Sequence, residues 1–209
     1  TSRKRPAEAA GAKTGAARRH QEYFVLMRAA SSPGRYTRFL GSLEDATPLD
    51  AAVEAAEPLA SRLMSQPRIR SIVRGDITGI PLHTILTDGP FGAWWSAVFL
   101  DFFADDSSRR SAQRLVALGV IAAVPTALSG WATWSGKDRP LKRVGIVHAG
   151  ANAAATVVYT ASWRARSRGN HRLGVRLGRA GAVLLLVSGF LGGHLSSGRH
   201  ASRQGELHA

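Results

Sequence analysis

Hydrophobic and polar residues are separated into blocks along the second half of the chain. Residues 115–136, 144–163 and 180–198 contain no Asp, Glu, Lys or Arg, and these stretches are 22, 20 and 19 residues long. A helix needs about 20 residues to cross a hydrocarbon core of about 30 Å, and a helix buried in a water-soluble protein rarely lacks charge for so long. The pattern therefore predicts three membrane spans.

The segment that precedes these stretches, residues 78–104, predicts a further span. It is rich in Leu, Ile, Phe and Trp, but it also contains His83, Asp88 and Asp101. Ionisable groups at membrane depth are costly and usually face the interior of a bundle, so these residues are candidates for function. We predict an all-α fold, an integral membrane four-helix bundle with spans at residues 78–104, 112–135, 141–164 and 174–198.

The polar region before the first span contains one amphipathic segment. Leucine and valine recur at near-helical spacing among acidic residues from Leu49 to Leu63, after a Thr-Pro pair typical of a helix start. This predicts an amphipathic juxtamembrane helix within residues 47–76. The remaining predicted regions are a basic, largely irregular N-terminal extension at residues 1–46, the transmembrane domain at 77–198 and a polar tail at 199–209.

The charge distribution supports a membrane protein more than a nucleic-acid-binding one. The net charge is +14, of which residues 1–40 carry +7, residues 41–79 carry −2 and the remainder carries +9. The last positive charges lie in short clusters between uncharged runs, as in loops that flank membrane spans. We therefore predict the lipid bilayer as a partner and no specific nucleic acid. The chain has no Cys, so metal or redox chemistry would need His or carboxylate ligands.

Orientation follows weakly from the same charges. Ten basic residues flank the spans on one side and nine on the other. The first segment usually dominates, and the N-terminal tail is strongly basic. We predict a multi-pass protein of the cell inner membrane with both termini cytoplasmic.

Three histidines are predicted to share one depth. His83 lies near the start of the first span, His148 near the start of the third and His194 near the end of the fourth. Because successive spans alternate in direction, all three fall on the same side of the membrane. Each is four or five residues inside its boundary, which at a rise of 1.5 Å per residue is about 6 to 8 Å below one interface.

One interpretation of this layer is a haem b site. Imidazole is a good axial ligand for iron, so His83, His148 and His194 are candidate haem ligands. The residues one turn on either side of His148 are small and leave room for a macrocycle, and Asn152 or Ser129 could orient a ring nitrogen.

Two other interpretations remain open. The three histidines, together with Asp88 about 7.5 Å deeper than His83, could form a small metal site, a proton path or a quinone site. Alternatively, the histidines are structural and join helices through hydrogen bonds to Asp88, Asn152, Thr126 or backbone carbonyls.

The remaining aromatic and acidic residues receive simpler interpretations. Trp131 and Trp134 end the second span, where tryptophan is typical of the interfacial belt. Trp94 lies deeper and is predicted to pack in the core. Asp101 lies near the far interface, where we expect a contact with Arg109 or with Arg114, which follow in the next helix.

Residues 79–95, GIPLHTILTDGPFGAWW, resemble the opening of a bacterial four-span family named domain of unknown function 2231. The family pattern there is G-H-P-L-H-P-x-L-T-D-x-P-x-G-x-W. Residues 112–116, 143–149 and 189–195 resemble its other helices, and the likeness covers residues 49–198. The chain departs from the family where Ile80 replaces the first histidine, where Thr133 replaces an acid, and in residues 199–203.

The resemblance implies a fold similar to the membrane b-type cytochromes, which hold haem between helices, but the family has no settled activity. The chain lacks dinucleotide-binding, phosphate-binding, serine hydrolase and zinc protease motifs. We therefore expect a b-type cytochrome-like accessory subunit of a membrane electron-transfer complex, with at most one haem b or a quinone. The alternative is a non-redox scaffold or anchor subunit that docks to a larger membrane protein complex.

Overall fold

The computed structural model describes residues 34–76, 79–103 and 105–206, with side chains as far as residue 196. Every element in these ranges is helical. In chain order they are α1 (Arg35–Glu44), a 3₁₀ turn (Thr47–Leu49), α2 (Asp50–Leu63), α3 (Pro67–Arg74), α4 (Leu82–Leu100), α5 (Asp106–Ser135), α6 (Arg139–Ser167) and α7 (His171–Glu206). Most of the predicted basic extension lies outside the described residues.

The chain divides into two compact units, Thr1–Ser42 and Leu43–Ala209. The described part of the first unit is most of α1, on which Tyr36 and Phe39 are exposed. The second unit contains the end of α1 and all later elements. The candidate functional site lies in the second unit.

Three helices, α5, α6 and α7, are long and apolar enough to cross a membrane. They contain the three charge-free stretches, so this part of the sequence prediction is confirmed. Helix α4 has 19 residues, or about 28 Å at the helical rise, but it is not among the membrane-capable helices. The fourth span therefore stays a prediction.

Short capped connections make successive long helices antiparallel. The Asp105 carboxylate accepts a hydrogen bond from the backbone N–H of Ser108 at 2.9 Å and so caps α5. Bonds from Ser107 and Ser108 hold the pKa of Asp105 well below its usual range. Asp138 caps α6 in the same way by accepting from the N–H of Leu141 at 3.2 Å.

The long helices form two antiparallel hairpins. Helix α4 packs along α5, and we call this pair the first hairpin; α6 packs along α7 as the second hairpin. The hairpins meet through α5 against α6 and through α4 against α7, while α2 and α3 pack on one end of this arrangement. Each hairpin thus contributes one helix to each contact with the other.

The core between the hairpins contains two stacked rings. Trp94 of α4 and Tyr159 of α6 lie with centroids 4.2 Å apart and planes inclined by 6°. Gly119 of α5 faces the Trp94 ring and Gly181 of α7 faces the Tyr159 ring, where a Cβ atom would clash with each ring. The buried residues around the stack are Ala97, Ala112, Val116, Ala155 and Leu185. Glycine at the two facing positions lets the backbones approach closely.

A second cluster lies beneath α2. Val53 and Ala60 of α2 are fully buried against Trp134, which is only 6% exposed. The Trp134 indole donates to the carbonyl of Lys142 at 2.9 Å, and its ring meets Trp131 edge-on with centroids 5.3 Å apart. The prediction that Trp134 belongs to an interfacial belt is therefore wrong, because the juxtamembrane helix covers this residue.

Candidate functional site

His83 lies in the first turn of α4 and bonds to the adjacent helix of its own hairpin. Its Nδ1 atom is 3.1 Å from the carbonyl oxygen of Thr126 and 3.2 Å from the hydroxyl of Ser129, both on α5. The Ser129 hydroxyl donates to the same Thr126 carbonyl at 2.8 Å. The imidazole is half-buried, so its position is set by α5 rather than by solvent.

His148 is held in the same manner by the second hairpin. Its Nδ1 atom is 2.9 Å from the carbonyl oxygen of Ser188 and 3.0 Å from the hydroxyl of that residue, on α7. The side-chain amide of Asn152, one turn later on α6, donates to the Nε2 atom of His148 at 3.0 Å. The sequence-based assignment of Asn152 as a residue that orients a ring nitrogen agrees with this contact.

These bonds define the protonation of both neutral rings. A carbonyl oxygen can only accept, so Nδ1 carries the proton and Nε2 carries the lone pair in His83 and His148. Among the described residues, Asn152 donates to Nε2 of His148, whereas no hydrogen bond to Nε2 of His83 occurs. The His83 lone pair is thus available to a ligand or a donor.

Glycine faces each imidazole from the neighbouring helix. A Cβ atom built at Gly130 of α5 would lie 3.0 Å from Cε1 of His83, and one built at Gly192 of α7 would lie 3.0 Å from Cε1 of His148. These distances are shorter than ordinary van der Waals contact. The absence of a side chain therefore leaves the space that each ring occupies.

His83 and His148 lie at the same height along the arrangement. Helices α4 and α6 run in parallel, because Trp94 stacks on Tyr159 and, seven residues later in each helix, Asp101 pairs with Arg166. His83 and His148 each precede the stacked ring by eleven residues, or about 16 Å of helical rise. They are close enough for their charges to interact. We call this level the histidine end.

The opposite end is closed by a buried ion pair. Both Arg166 guanidinium NH groups donate to the Asp101 carboxylate, at 2.7 and 2.6 Å, and the side chains are 0% and 1% exposed. Arg166 also donates to the Ser162 hydroxyl, which donates to the carbonyl of Gly174. The expected contact of Asp101 with Arg109 or Arg114 is wrong, since the second hairpin supplies its partner.

His194 takes a different partner from the other two histidines. Its Nε2 atom is 2.6 Å from the Glu44 carboxylate, which lies at the end of α1 and within the same compact unit. Asp88 is exposed on α4 and does not contact the histidines. The described residues contain no group of three His, Cys, Asp or Glu side chains that could hold a metal ion. The structure therefore brings His83, His148 and Asn152 together, without His194 or Asp88.

Ion pairs fasten α2 to the start of α6 at the histidine end. Asp50 accepts from Arg143 at 2.7 and 2.9 Å and from Arg139 at 3.0 Å. Glu57 accepts from Lys142 at 2.8 Å. These partners hold the pKa of Asp50 and that of Glu57 below their usual values, first through the bonds from Arg143 and Lys142. We call this set of ion pairs the α2 clamp, and it includes a bond from Arg139 to Glu54.

The sequence contains a repeat that the span-by-span reading missed. The residues at the three heights in α4 recur 65 residues later in α6 as histidine, aromatic and charged positions, namely His83, Trp94 and Asp101 against His148, Tyr159 and Arg166. The facing residues of α5 recur 62 residues later in α7, namely Gly119, Thr126 and Gly130 against Gly181, Ser188 and Gly192. A comparison of the chain with itself at these offsets would have paired His83 with His148 and excluded His194.

A family model described as "Predicted membrane protein (DUF2231)" matches residues 79–203. No curated protein and no solved structure matches the chain. The matched region contains both hairpins, both paired histidines and the buried ion pair. The chain therefore belongs to the DUF2231 family of predicted membrane proteins.

Proposed function

We propose that the two hairpins form a four-span membrane subunit that holds one haem b between His83 and His148 and passes electrons within a larger complex. The observation that carries this proposal is the matched presentation of the two imidazoles. Both rings donate through Nδ1 to a backbone carbonyl and bear the lone pair on Nε2. That is the arrangement in which second-shell bonds orient histidine ligands toward a metal.

The residues present fit this group. Neutral imidazole is an established haem ligand, and the two come from different hairpins at one height. Glycine at positions 130 and 192 gives each ring room on its outer side. Bound haem would supply one-electron redox chemistry, while the Thr126 and Ser188 carbonyls would keep the two rings oriented. Ligation by His148 requires the Asn152 amide to release Nε2.

The membrane placement is part of the proposal. Burial of Asp101 against Arg166 at one end and the packing of α4 along α5 and α7 support α4 as a fourth span. We retain the inner membrane with cytoplasmic termini, which places the histidine end toward the cytoplasm.

A second candidate is a non-redox scaffold or anchor subunit. The observation that favours it is that protein groups already occupy three of the ring nitrogens that matter: Nδ1 of His83, and both nitrogens of His148. In this case the histidines join α4 to α5 and α6 to α7, and the hydrogen bonds contribute stability only. The two candidates differ in whether Nε2 of His83 has a ligand.

The absorption spectrum of the full-length protein, purified from cells supplied with a haem precursor, separates the candidates. We expect a Soret band and sharp reduced bands in the wild type. The bands should be lost in His83→Ala and in His148→Ala, and retained in His194→Ala, which removes a histidine of similar depth that pairs with Glu44 instead. Circular dichroism of each variant checks that the helices remain.

A ligand exchange keeps the test informative if an alanine variant fails to fold. In His83→Met the haem should persist with a raised reduction potential, since His/Met ligation raises the potential of haem iron. A colourless, fully helical wild-type protein would instead support the scaffold. Equal loss of colour in His194→Ala would contradict the assignment of the two ligands.

A further inference from the structure

Helix α3 is a short amphipathic helix whose exposed surface is both basic and apolar. It has the sequence PRIRSIVR, and only Val73 is buried. Ile69 is 39% exposed and Ile72 is 52% exposed, and their three-residue spacing places them on one face. Arg68, Arg70 and Arg74 are also exposed. A monomeric water-soluble surface gains nothing from exposing two isoleucines within one helical turn.

The arginines of α3 have no acidic partner among the described residues. Helix α3 contains no Asp or Glu, and no ion pair to Arg68, Arg70 or Arg74 occurs in the described part of the chain. The nearby acids of α2 are engaged elsewhere, because Asp50 and Glu57 belong to the α2 clamp. The net positive charge of α3 is therefore uncompensated by the protein.

The fold places α3 at the level where a helix end meets a membrane surface. A sharp turn at Gly75, with φ of 75°, ends α3, and a Cβ atom at Gly75 would clash with the carbonyl of Ile80. Leu82 then begins α4, whose first turn carries His83. Helix α3 packs on α4 and α5, so it is fixed beside the histidine end and cannot swing far from it.

We propose that α3 binds the anionic headgroup surface of the membrane at the histidine end. Ile69 and Ile72 insert at the level of the upper acyl chains, and Arg68, Arg70 and Arg74 contact lipid phosphates, as in other interfacial amphipathic helices. Each basic residue near an anionic surface favours the bound state about fivefold, so three together favour it on the order of a hundredfold. The inference needs only a membrane location and is independent of haem binding.

A nitroxide on Ile72→Cys reports the position of α3, because the chain has no other cysteine. The full-length protein is placed in nanodiscs of phosphatidylglycerol or of phosphatidylcholine, and collision rates with oxygen and with a water-soluble nickel chelate are measured. In phosphatidylglycerol we expect the ratio of oxygen to nickel collisions to rise roughly threefold or more over phosphatidylcholine, because the anionic surface holds the helix in the membrane. The triple variant Arg68→Gln, Arg70→Gln, Arg74→Gln should abolish this difference.

A matched control removes three exposed arginines from the opposite end of the arrangement, Arg109, Arg110 and Arg114, each as glutamine. This control should keep the lipid-dependent difference. Equal nickel access in both lipids would overturn the proposal. Protection in both lipids that survives the triple variant would also overturn it, since the helix would then be covered by protein or by apolar contact without lipid charge.

Discussion

The first hairpin and the second hairpin place a histidine, an aromatic ring and a charged group at the same three heights. At the histidine height the contacts are alike, because each Nδ1 bonds to a backbone carbonyl of its own hairpin. Where the hairpins touch each other, the residues differ: Trp94 stacks on Tyr159, and Asp101 pairs with Arg166.

This difference separates two kinds of requirement. Positions that pack within a hairpin face the same geometry twice and keep the same residue type, as with glycine opposite each ring. Positions that meet across the two hairpins need opposite charge or a complementary surface. Identical residues at the charged height would give two buried like charges, which is strongly unfavourable.

Breaking the buried ion pair should have the largest effect on this arrangement. Arg166→Met leaves the Asp101 carboxylate buried without a cation, and we expect a loss of about 3–5 kcal/mol in the free energy of unfolding. SDS titration in mixed micelles, followed by circular dichroism, measures this loss. The double variant Asp101→Leu, Arg166→Met should recover most of it, and Arg164→Gln, an exposed neighbour, should change little. A stable Arg166→Met single variant would contradict the role of the pair.

Adding a methyl group opposite the stacked rings should have the next largest effect, and an equal one in both hairpins. At Gly181 a Cβ atom would lie 2.6 Å from the Tyr159 ring, and at Gly119 it would clash with the Trp94 ring. Gly119→Ala and Gly181→Ala should each cost about 1–3 kcal/mol through overpacking. Gly150→Ala, with open space at its Cβ, should instead stabilise α6 by up to about 1 kcal/mol. Unequal losses at the two sites would show that the hairpins are not equivalent.

Acidification should release α2 from the second hairpin while leaving the hairpins together. The pKa values of Asp50 and Glu57 lie below their usual values of 3.8 and 4.5. A lowered pKa in the folded state contributes stability that is complete above the usual value and is lost as the pH falls through the lowered one. Nitroxides at Ala55→Cys and Gly150→Cys should therefore show a constant distance down to about pH 5 and a broadened one near pH 3.

The variant Asp50→Asn should reproduce part of that broadening at neutral pH. Asp76→Asn, which removes an exposed acid outside the α2 clamp, serves as its control. A distance that stays sharp at pH 3 would mean that apolar packing of Val53 and Ala60 is enough to hold α2 in place.

The smallest expected effect concerns the one height where the two hairpins are unequal in hydrogen bonding. The Trp94 indole donates to the carbonyl of Val116 at 3.2 Å, whereas the buried Tyr159 hydroxyl has no partner among the described residues. Tyr159→Phe removes an unsatisfied polar group and should change stability by less than about 1 kcal/mol, in the stabilising direction. Thermal unfolding in detergent measures it, and a clear loss would reveal a missing partner for this hydroxyl.

The sequence was sufficient for the features that depend on local pattern. Uninterrupted apolar runs predicted α5, α6 and α7 as membrane-capable helices, because the length of a span and its lack of charge are read directly from the chain. The periodicity around Val53 indicated a helix where α2 lies. The family resemblance was carried by residues 79–95 and is confirmed by the family match.

The partners of individual side chains were harder to predict, because they depend on which helix faces which. Asp101 was expected to contact a neighbouring arginine in sequence, but its partner Arg166 lies 65 residues away. His194 has the depth of a third ligand, yet the position of Glu44 beside α7 engages it. Depth follows from counting residues, whereas the direction of a side chain follows from the packing of the whole arrangement.

The pairing of Asp101 with Arg166 has a consequence for biosynthesis. The acid is translated long before the base, so a nascent chain carries a carboxylate that cannot leave water until the third long helix emerges from the ribosome. The first two helices would then wait with the Asp101 end at the aqueous boundary, and insertion of α6 would complete both halves in one step. A chain truncated before residue 166 is therefore expected to be recognised by quality-control proteases as an unfinished product.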